Sequence, residues 1–306
     1  MKNQTASDIP RGNWVDQWLP APTRPYVRLA RFDRPIGTWL VLFPCWWSLA
    51  LSTINWANIE IILHLFLMFG LGAIIMRGAG CCLNDIADRN LDGGVARTKD
   101  RPLPAGLINV KQASSFMVFL GSLGLIVLLQ FNYFAIIIGV ISIPLVAIYP
   151  FSKRYTYWPQ FVLGLTFNWG ALLGWAAVRG DLQAPAILLY GAGICWTLGY
   201  DTIYAVQDKE DDAIMGIKSA ALFLDKNTRA SLYIFYGLTI FFMGICGWKA
   251  ELSLFFYIGL SITSAQAIWQ VWDVKLDNPH DCLVKFKSNR LFGWLVLGSI
   301  VAGQIF

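Results

Sequence analysis

Asn84, Asp85, Asp88 and Asp92 stand in one short run, Asn84-Asp85-Ile86-Ala87-Asp88-Arg89-Asn90-Leu91-Asp92, directly behind a long apolar stretch. On a helix, Asp85, Asp88 and Asp92 fall at i, i+3 and i+7 and share a face. Asn84 and Asp88 are neighbours at i, i+4. Three like charges on one face repel and need a neutralising partner. Arg89 and Arg97 supply part of it. A hard cation does it better, because Mg²⁺ takes oxygen ligands and shares them with substrate phosphates.

A second acidic run, Asp201 to Asp212, follows a later apolar stretch on the same side of the chain's alternation. Asp201, Asp208 and Asp212 lie at i, i+7 and i+11, which a helix brings onto one face within about 20°. Asp201 falls inside the apolar stretch itself, and a carboxylate at membrane depth is a functional hypothesis by default. Either run alone is moderately specific, with a solvated acidic loop as the plainer alternative. Two runs at one membrane face, each at a helix end, point to Mg²⁺ and a diphosphate.

A diphosphate needs cationic side chains as well as metal, since its charge is too large for either alone. Arg77 lies two turns before Asp85, within the apolar helix. Lys99 and Arg101 stand in a loop bounded by Pro102 and Pro104. Tyr149-Pro150-Phe151-Ser152-Lys153-Arg154 ends the fourth apolar segment. Each Lys or Arg also has a plain topological reading, as a charge that keeps a loop on one side. The run Asp92-Gly93-Gly94-Val95-Ala96-Arg97 imitates the core of the CDP-alcohol phosphotransferases. It lacks the required carboxylates, with Arg89, Val110 and Ser114 in their places, and is rejected. His64 is read as a packing residue, and His280 stands alone. The six Cys form no CxxC pair and read as small core residues.

These residues must be positioned by a membrane scaffold. The chain has 306 residues, 56% hydrophobic and only 14% charged, well short of the roughly 25% charged residues of soluble domains. Nine apolar segments are long enough to cross a bilayer as helices: 36–54, 59–82, 113–131, 133–149, 160–178, 184–206, 230–248, 252–271 and 289–305. The expected fold is therefore all-α, an integral membrane bundle of about nine transmembrane helices. Residues 1–35 form a tail on the N-terminal side, and residues 36–306 form one domain. Of the 24 basic residues, 21 fall in the tail and the even-numbered loops. Only Arg179 and Lys249 fall on the opposite face, and Arg77 lies within a helix. That bias places the tail and both acidic runs on the cytoplasmic side or its equivalent. Arg24, Arg28 and Arg31 have helical spacing, which suggests a short interfacial helix before Pro35. The net charge of +5 serves topology, and no nucleic acid partner is indicated. No removable signal peptide is visible, and the acidic Asp8 and Asp16 argue against a transit peptide. A bacterial inner membrane is the expected location, with the mitochondrial inner membrane as the alternative.

The two acidic runs resemble the N-D-x-x-D-x-x-x-D and D-x-x-x-x-x-x-D-x-x-x-D motifs of the UbiA superfamily of membrane prenyltransferases. Arg97–Gly106 looks like that family's R-x-x-x-R-P-x-x-x-G element. Tyr149–Arg154, Tyr157–Gln160, Leu163–Gly174, Tyr200–Asp212 and Asp281–Leu283 followed by Phe286–Arg290 resemble the 4-hydroxybenzoate polyprenyltransferase branch. The resemblance implies transfer of a polyprenyl group from polyprenyl diphosphate to the ring of 4-hydroxybenzoate, ortho to the hydroxyl, in ubiquinone biosynthesis. It implies that Asn84, Asp88, Asp208 and Asp212 hold Mg²⁺, supported by Asp85 and Asp92. Arg77, Lys99, Arg101, Tyr149 and Lys153 become candidates for diphosphate contacts. Asp201 is the candidate for orienting or deprotonating the phenol, and Arg154 or Arg34 for pairing with the carboxylate. The polyprenyl tail is expected among apolar helices, next to membrane lipid. A different acceptor, aromatic or haem, is the nearest rival. A cation transporter is the rival from another class, and the one-sided placement of the carboxylates speaks against it. Chain length of the donor and oligomeric state are not set by the sequence.

Overall fold

The computed structural model describes residues 9–10, 12–53, 58–94 and 97–306, and every regular element among them is helical. Lys2, Asp8 and Arg11, used in the charge and targeting readings, lie outside the described residues. Two short helices open the chain, α1 (Trp14–Trp18) and α2 (Arg24–Leu29). Long helices follow: α3 (Ile36–Ser52), α4 (Ile59–Asp92), α5 (Val110–Leu128), α6 (Tyr133–Tyr155), α7 (Pro159–Phe167), α8 (Gly170–Arg179) and α9 (Ala184–Ala205). The remainder are α10 (Lys209–Met215), α11 (Ala220–Leu224), α12 (Thr228–Lys249), α13 (Leu254–Asp273) and α14 (Pro279–Ile305).

Helices occupy all nine apolar segments, with α7 and α8 sharing the fifth. By length and composition, six helical stretches among the described residues are long and apolar enough to cross a membrane, and Ile36–Ser52 is a shorter apolar helix. Helix α4 runs 34 residues without a break. At 1.5 Å per residue that is about 51 Å, longer than the roughly 30 Å hydrocarbon core. Its last turns therefore carry the first acidic run beyond the apolar layer.

The interior is aromatic where helices meet. Trp47, Trp196, Tyr200, Phe43 and Phe292 are fully buried. The rings of Trp196 and Phe292 stack at 5.4 Å, and Trp47 lies 5.0 Å from Trp196. With no water at membrane depth, each buried indole N–H needs an internal acceptor. Trp47 donates to the Gly293 carbonyl at 2.8 Å, and Trp196 to Asn289 Oδ1 at 2.8 Å. Gly174 lets α8 approach α3 closely, since a Cβ there would lie 2.7 Å from the Cys45 carbonyl oxygen. Large apolar side chains such as Leu67, Phe241 and Trp272 are exposed on the outer surface, which is the lipid-facing side of such a bundle.

Several elements depart from the sequence expectation. The fifth segment is broken at Asn168, whose side-chain amide donates to the Gly164 carbonyl and to Thr197 Oγ1, both at 2.8 Å. Such a side chain competes with the backbone ladder. The last helix starts at Pro279 rather than near residue 289, because Asn278 caps the Pro279 turn by accepting from the His280 and Asp281 N–H groups. Helix α2 ends at Leu29, and Arg31 turns out of it at φ 57°. The turn leaves Leu29 and Ala30 buried, so this segment is packed into the bundle rather than lying only at an interface. His64, expected to pack, is exposed on α4. Five of the six Cys are buried and all six are free.

Candidate active site

The end of the bundle that carries both acidic runs encloses a cavity of about 1010 Å³. Helix α4 contributes Asn84, Asp88 and Asp92. Helix α6 contributes Tyr149 and Lys153, and α9 contributes Asp201. Asp208, Asp211 and Asp212 line the same cavity. Away from these groups the lining turns apolar, with Phe69 and Met76 of α4, Leu125 of α5 and Val140 and Ile143 of α6.

The second acidic run is not one continuous α-helix. Helix α9 ends at Ala205, a 3₁₀ turn covers Val206–Asp208, and α10 begins at Lys209. The single-face argument from 100° per residue therefore fails in its geometry, since the 3₁₀ turn changes the angle per residue. Asp201, Asp208 and Asp212 still reach one cavity. Helix α10 ends on Gly216 at φ 68°, a left-handed cap that glycine adopts without strain. The segment after it is tied down by the Lys218 N–H to the Lys153 carbonyl, 3.0 Å, and by the Ala220 N–H to Gln160 Oε1, 3.0 Å.

Every carboxylate of the first run has a cation beside it. Asp88 is fully buried, and Lys153 Nζ donates to its Oδ2 at 2.7 Å. Its Oδ1 is buried with no hydrogen-bond partner. Asp85 does not line the cavity. It accepts from Arg31 at 2.8 Å and from Arg101 at 3.2 Å, and Arg101 also donates to Asp92 Oδ2 at 3.1 Å. Asp85 therefore anchors cations at the cavity edge and, with Asp92, holds the loop that carries Arg101. In the second run, Arg97 grips Asp208 with two bonds, 2.8 and 2.5 Å, and donates to the Tyr204 hydroxyl at 2.9 Å. Burial, and next the charge of Asp208, push the Asp212 carboxyl up to about 7.

The other expected residues divide. Arg77 lines the cavity, donates to Cys81 Sγ and places its guanidinium 5.6 Å from the centre of the Phe167 ring. Gly37 makes room for it, because a Cβ there would collide with the guanidinium. Arg34 lines the cavity and pairs with Asp33 at 3.1 Å. Arg154 does not line it: the side chain is 40% exposed, donates to the Ala87 carbonyl at 2.6 Å and lies over Phe151. Lys99 is exposed and also stands outside the lining. Arg31 and Tyr204 were not singled out as site residues in the sequence. Arg31 meets Asp85 from 54 positions away, and no local spacing announces that contact.

The donor set suits a hard divalent cation. Asn84, Asp88, Asp208 and Asp212 offer only oxygen among their metal-binding atoms, and the buried Oδ1 of Asp88 accepts no hydrogen bond, with Arg154 Nη2 standing 4.0 Å away, so it keeps lone pairs for a ligand. Among the described residues no three His, Cys, Asp or Glu groups already converge as a metal cage. Mg²⁺ does not require one, since it keeps waters and shares substrate phosphates.

Comparison with known proteins gives a consistent picture. The profile of the UbiA prenyltransferase family matches residues 41–296. The chain is 45% identical to 4-hydroxybenzoate polyprenyltransferase, mitochondrial, of Caenorhabditis elegans, over 99% of this chain and 85% of that one. It is 45% identical to the protein of the same name in Arabidopsis thaliana, over 97% of this chain and 73% of that one. Among solved structures, an apo UbiA homolog from Aeropyrum pernix K1 superposes with a TM-score of 0.71 at 18% identity, covering 87% and 96% of the two chains. A UbiA homolog from Archaeoglobus fulgidus bound to GPP and Mg²⁺ gives 0.64 at 17%, covering 90% and 99%.

Proposed function

We infer the reaction from one premise: the chain belongs to the UbiA prenyltransferase family. It is a multi-pass membrane transferase that moves a polyprenyl group from polyprenyl diphosphate to the ring of 4-hydroxybenzoate, at the carbon ortho to the hydroxyl, in ubiquinone biosynthesis. The observation that carries this reading is the meeting of Asn84 and Asp88 with Asp208 and Asp212 around one cavity whose far wall is apolar. Polar and apolar ends match a substrate with a diphosphate head and a hydrocarbon tail. Carboxylates confined to one end suit catalysis better than passage of an ion. The relatives are named mitochondrial proteins, which matches the alternative location and gives the bacterial inner membrane no support.

Asn84, Asp88, Asp208 and Asp212 would hold Mg²⁺, which supplies charge neutralisation to the leaving diphosphate. Lys153, Arg101 and Arg77 face the same space and offer donors to its oxygens, with Tyr149 beside them. The apolar lining from α4, α5 and α6 excludes water, so the allylic carbon meets the ring rather than a hydroxide. To Asp201, which lines the same cavity, we assign the orienting of the phenol and the acceptance of its proton. For the acceptor's carboxylate, the structure favours Arg34 over Arg154, because Arg34 faces the cavity and Arg154 faces out. Arg offers two parallel donors, which suits a carboxylate.

Steady-state kinetics tests the acceptor assignment. Arg34→Gln is expected to raise the KM for 4-hydroxybenzoate by about tenfold or more, the loss of a charge-assisted pair, with little change for the prenyl diphosphate. Arg154→Gln should leave both KM values near those of the parent. The reverse pattern returns the acceptor to Arg154. A preference for homogentisate or a naphthoate over 4-hydroxybenzoate would overturn the acceptor itself.

A further inference from the structure

Arg97 sits on both oxygens of a carboxylate that the proposed reaction needs for metal. Its Nε and Nη2 donate to Asp208 Oδ1 and Oδ2 at 2.8 and 2.5 Å. A fork of this kind takes the best-directed lone pairs of the carboxylate. A divalent cation brought to the same oxygens lies within a few ångströms of the guanidinium, and the two repel. Arg97 and Asp208 have side chains only 18% and 15% exposed. Leaving either charge without a partner there is costly, so Arg97 does not release Asp208 for a metal ion alone.

A diphosphate changes this balance. Its oxygens accept the same planar fork that Asp208 accepts, so the guanidinium exchanges one anion for another and the carboxylate is freed. Tyr204 gives Arg97 a fixed perch for the exchange. The Tyr204 hydroxyl accepts from Nη1 at 2.9 Å, the ring centre lies 5.2 Å from the guanidinium, and the same ring packs on Phe286 with ring centres 4.6 Å apart. Lys153 on Asp88 repeats the arrangement with a single point charge.

Resting on the metal–diphosphate reading above, we propose that Arg97 is a positioning residue. It occupies the Asp208 metal ligand until diphosphate arrives, and so makes metal binding conditional on the substrate's head group. The dependence is mutual, because coupling between two ligands is reciprocal.

Mn²⁺, counted as free ion by electron paramagnetic resonance, and inorganic diphosphate serve as probes on the full chain in nanodiscs, with a protein-free blank. In the parent protein, diphosphate is expected to tighten Mn²⁺ binding by about tenfold or more. Arg97→Gln should bind Mn²⁺ alone about tenfold more tightly than the parent, and diphosphate should add little. Arg97→Lys keeps the charge and gives up the paired bonds, so it shifts the same way by a smaller factor and stands in if the Gln variant fails to fold. Mn²⁺ affinity that is unchanged or weaker in these variants overturns the placeholder role while leaving the metal site intact. A parent protein that binds no Mn²⁺ even with diphosphate overturns the metal–diphosphate reading itself.

Discussion

Asp88→Asn and Asp208→Asn are each expected to lower kcat by about a thousandfold or more, and the double variant to be little worse than either. The two residues lie 120 positions apart on α4 and at the α9–α10 junction, yet face one cavity. If they act on one diphosphate, removing either disables the same event, and the second removal has little left to destroy. Losses that multiply cleanly would describe two independent sites. The substitutions also unpair Lys153 or Arg97, and leaving one partner of a part-buried pair uncompensated costs stability. A thermal melt of each variant therefore accompanies the kinetics, so that lost fold is not read as lost catalysis.

Removal of divalent cations should have an effect as large. EDTA is expected to reduce turnover to background, Mg²⁺ to restore it, and Zn²⁺ to do no better. The physical ground is the donor set: Asn84, Asp88, Asp208 and Asp212 present oxygen only, which suits a hard cation over one that favours thiolate or imidazole. All six Cys are free, five of them buried; His64 is exposed, and His280, also exposed, is the single imidazole among the described residues lining the cavity. Full activity in metal-free buffer would mean that Lys153, Arg97 and Arg101 neutralise the leaving group unaided.

Where the helical scaffold and the position of the first acidic run were concerned, pattern was enough. Apolar length marks a helix in a membrane chain, and carboxylates spaced on the first run fall on α4 as expected. Contacts across the sequence were not legible. Arg31 and Asp85 meet through tertiary packing alone. Lys153 and Arg154 are adjacent, which made it natural to give each a substrate. Successive residues on a helix point about 100° apart, so Lys153 bonds Asp88 directly while Arg154 bonds the Ala87 carbonyl, stays 4.0 Å from Asp88 Oδ1 and is 40% exposed. The 3₁₀ turn at Val206–Asp208 has no Gly or Pro to announce it. The break at Asn168 did have a signal, a lone amide in an apolar run, whose habit of bonding to nearby backbone is general.

The central claim is a Mg²⁺-dependent carbon–carbon bond between a prenyl group and 4-hydroxybenzoate. The most direct measurement incubates the purified chain in nanodiscs with ring-labelled 4-hydroxybenzoate, Mg²⁺ and prenyl diphosphates of graded length. The account predicts that ring label passes into the lipid phase as the 3-prenyl product, one diphosphate released per ring modified. Diphosphate release with all ring label left in water would contradict it, and would describe a prenyl diphosphate hydrolase instead.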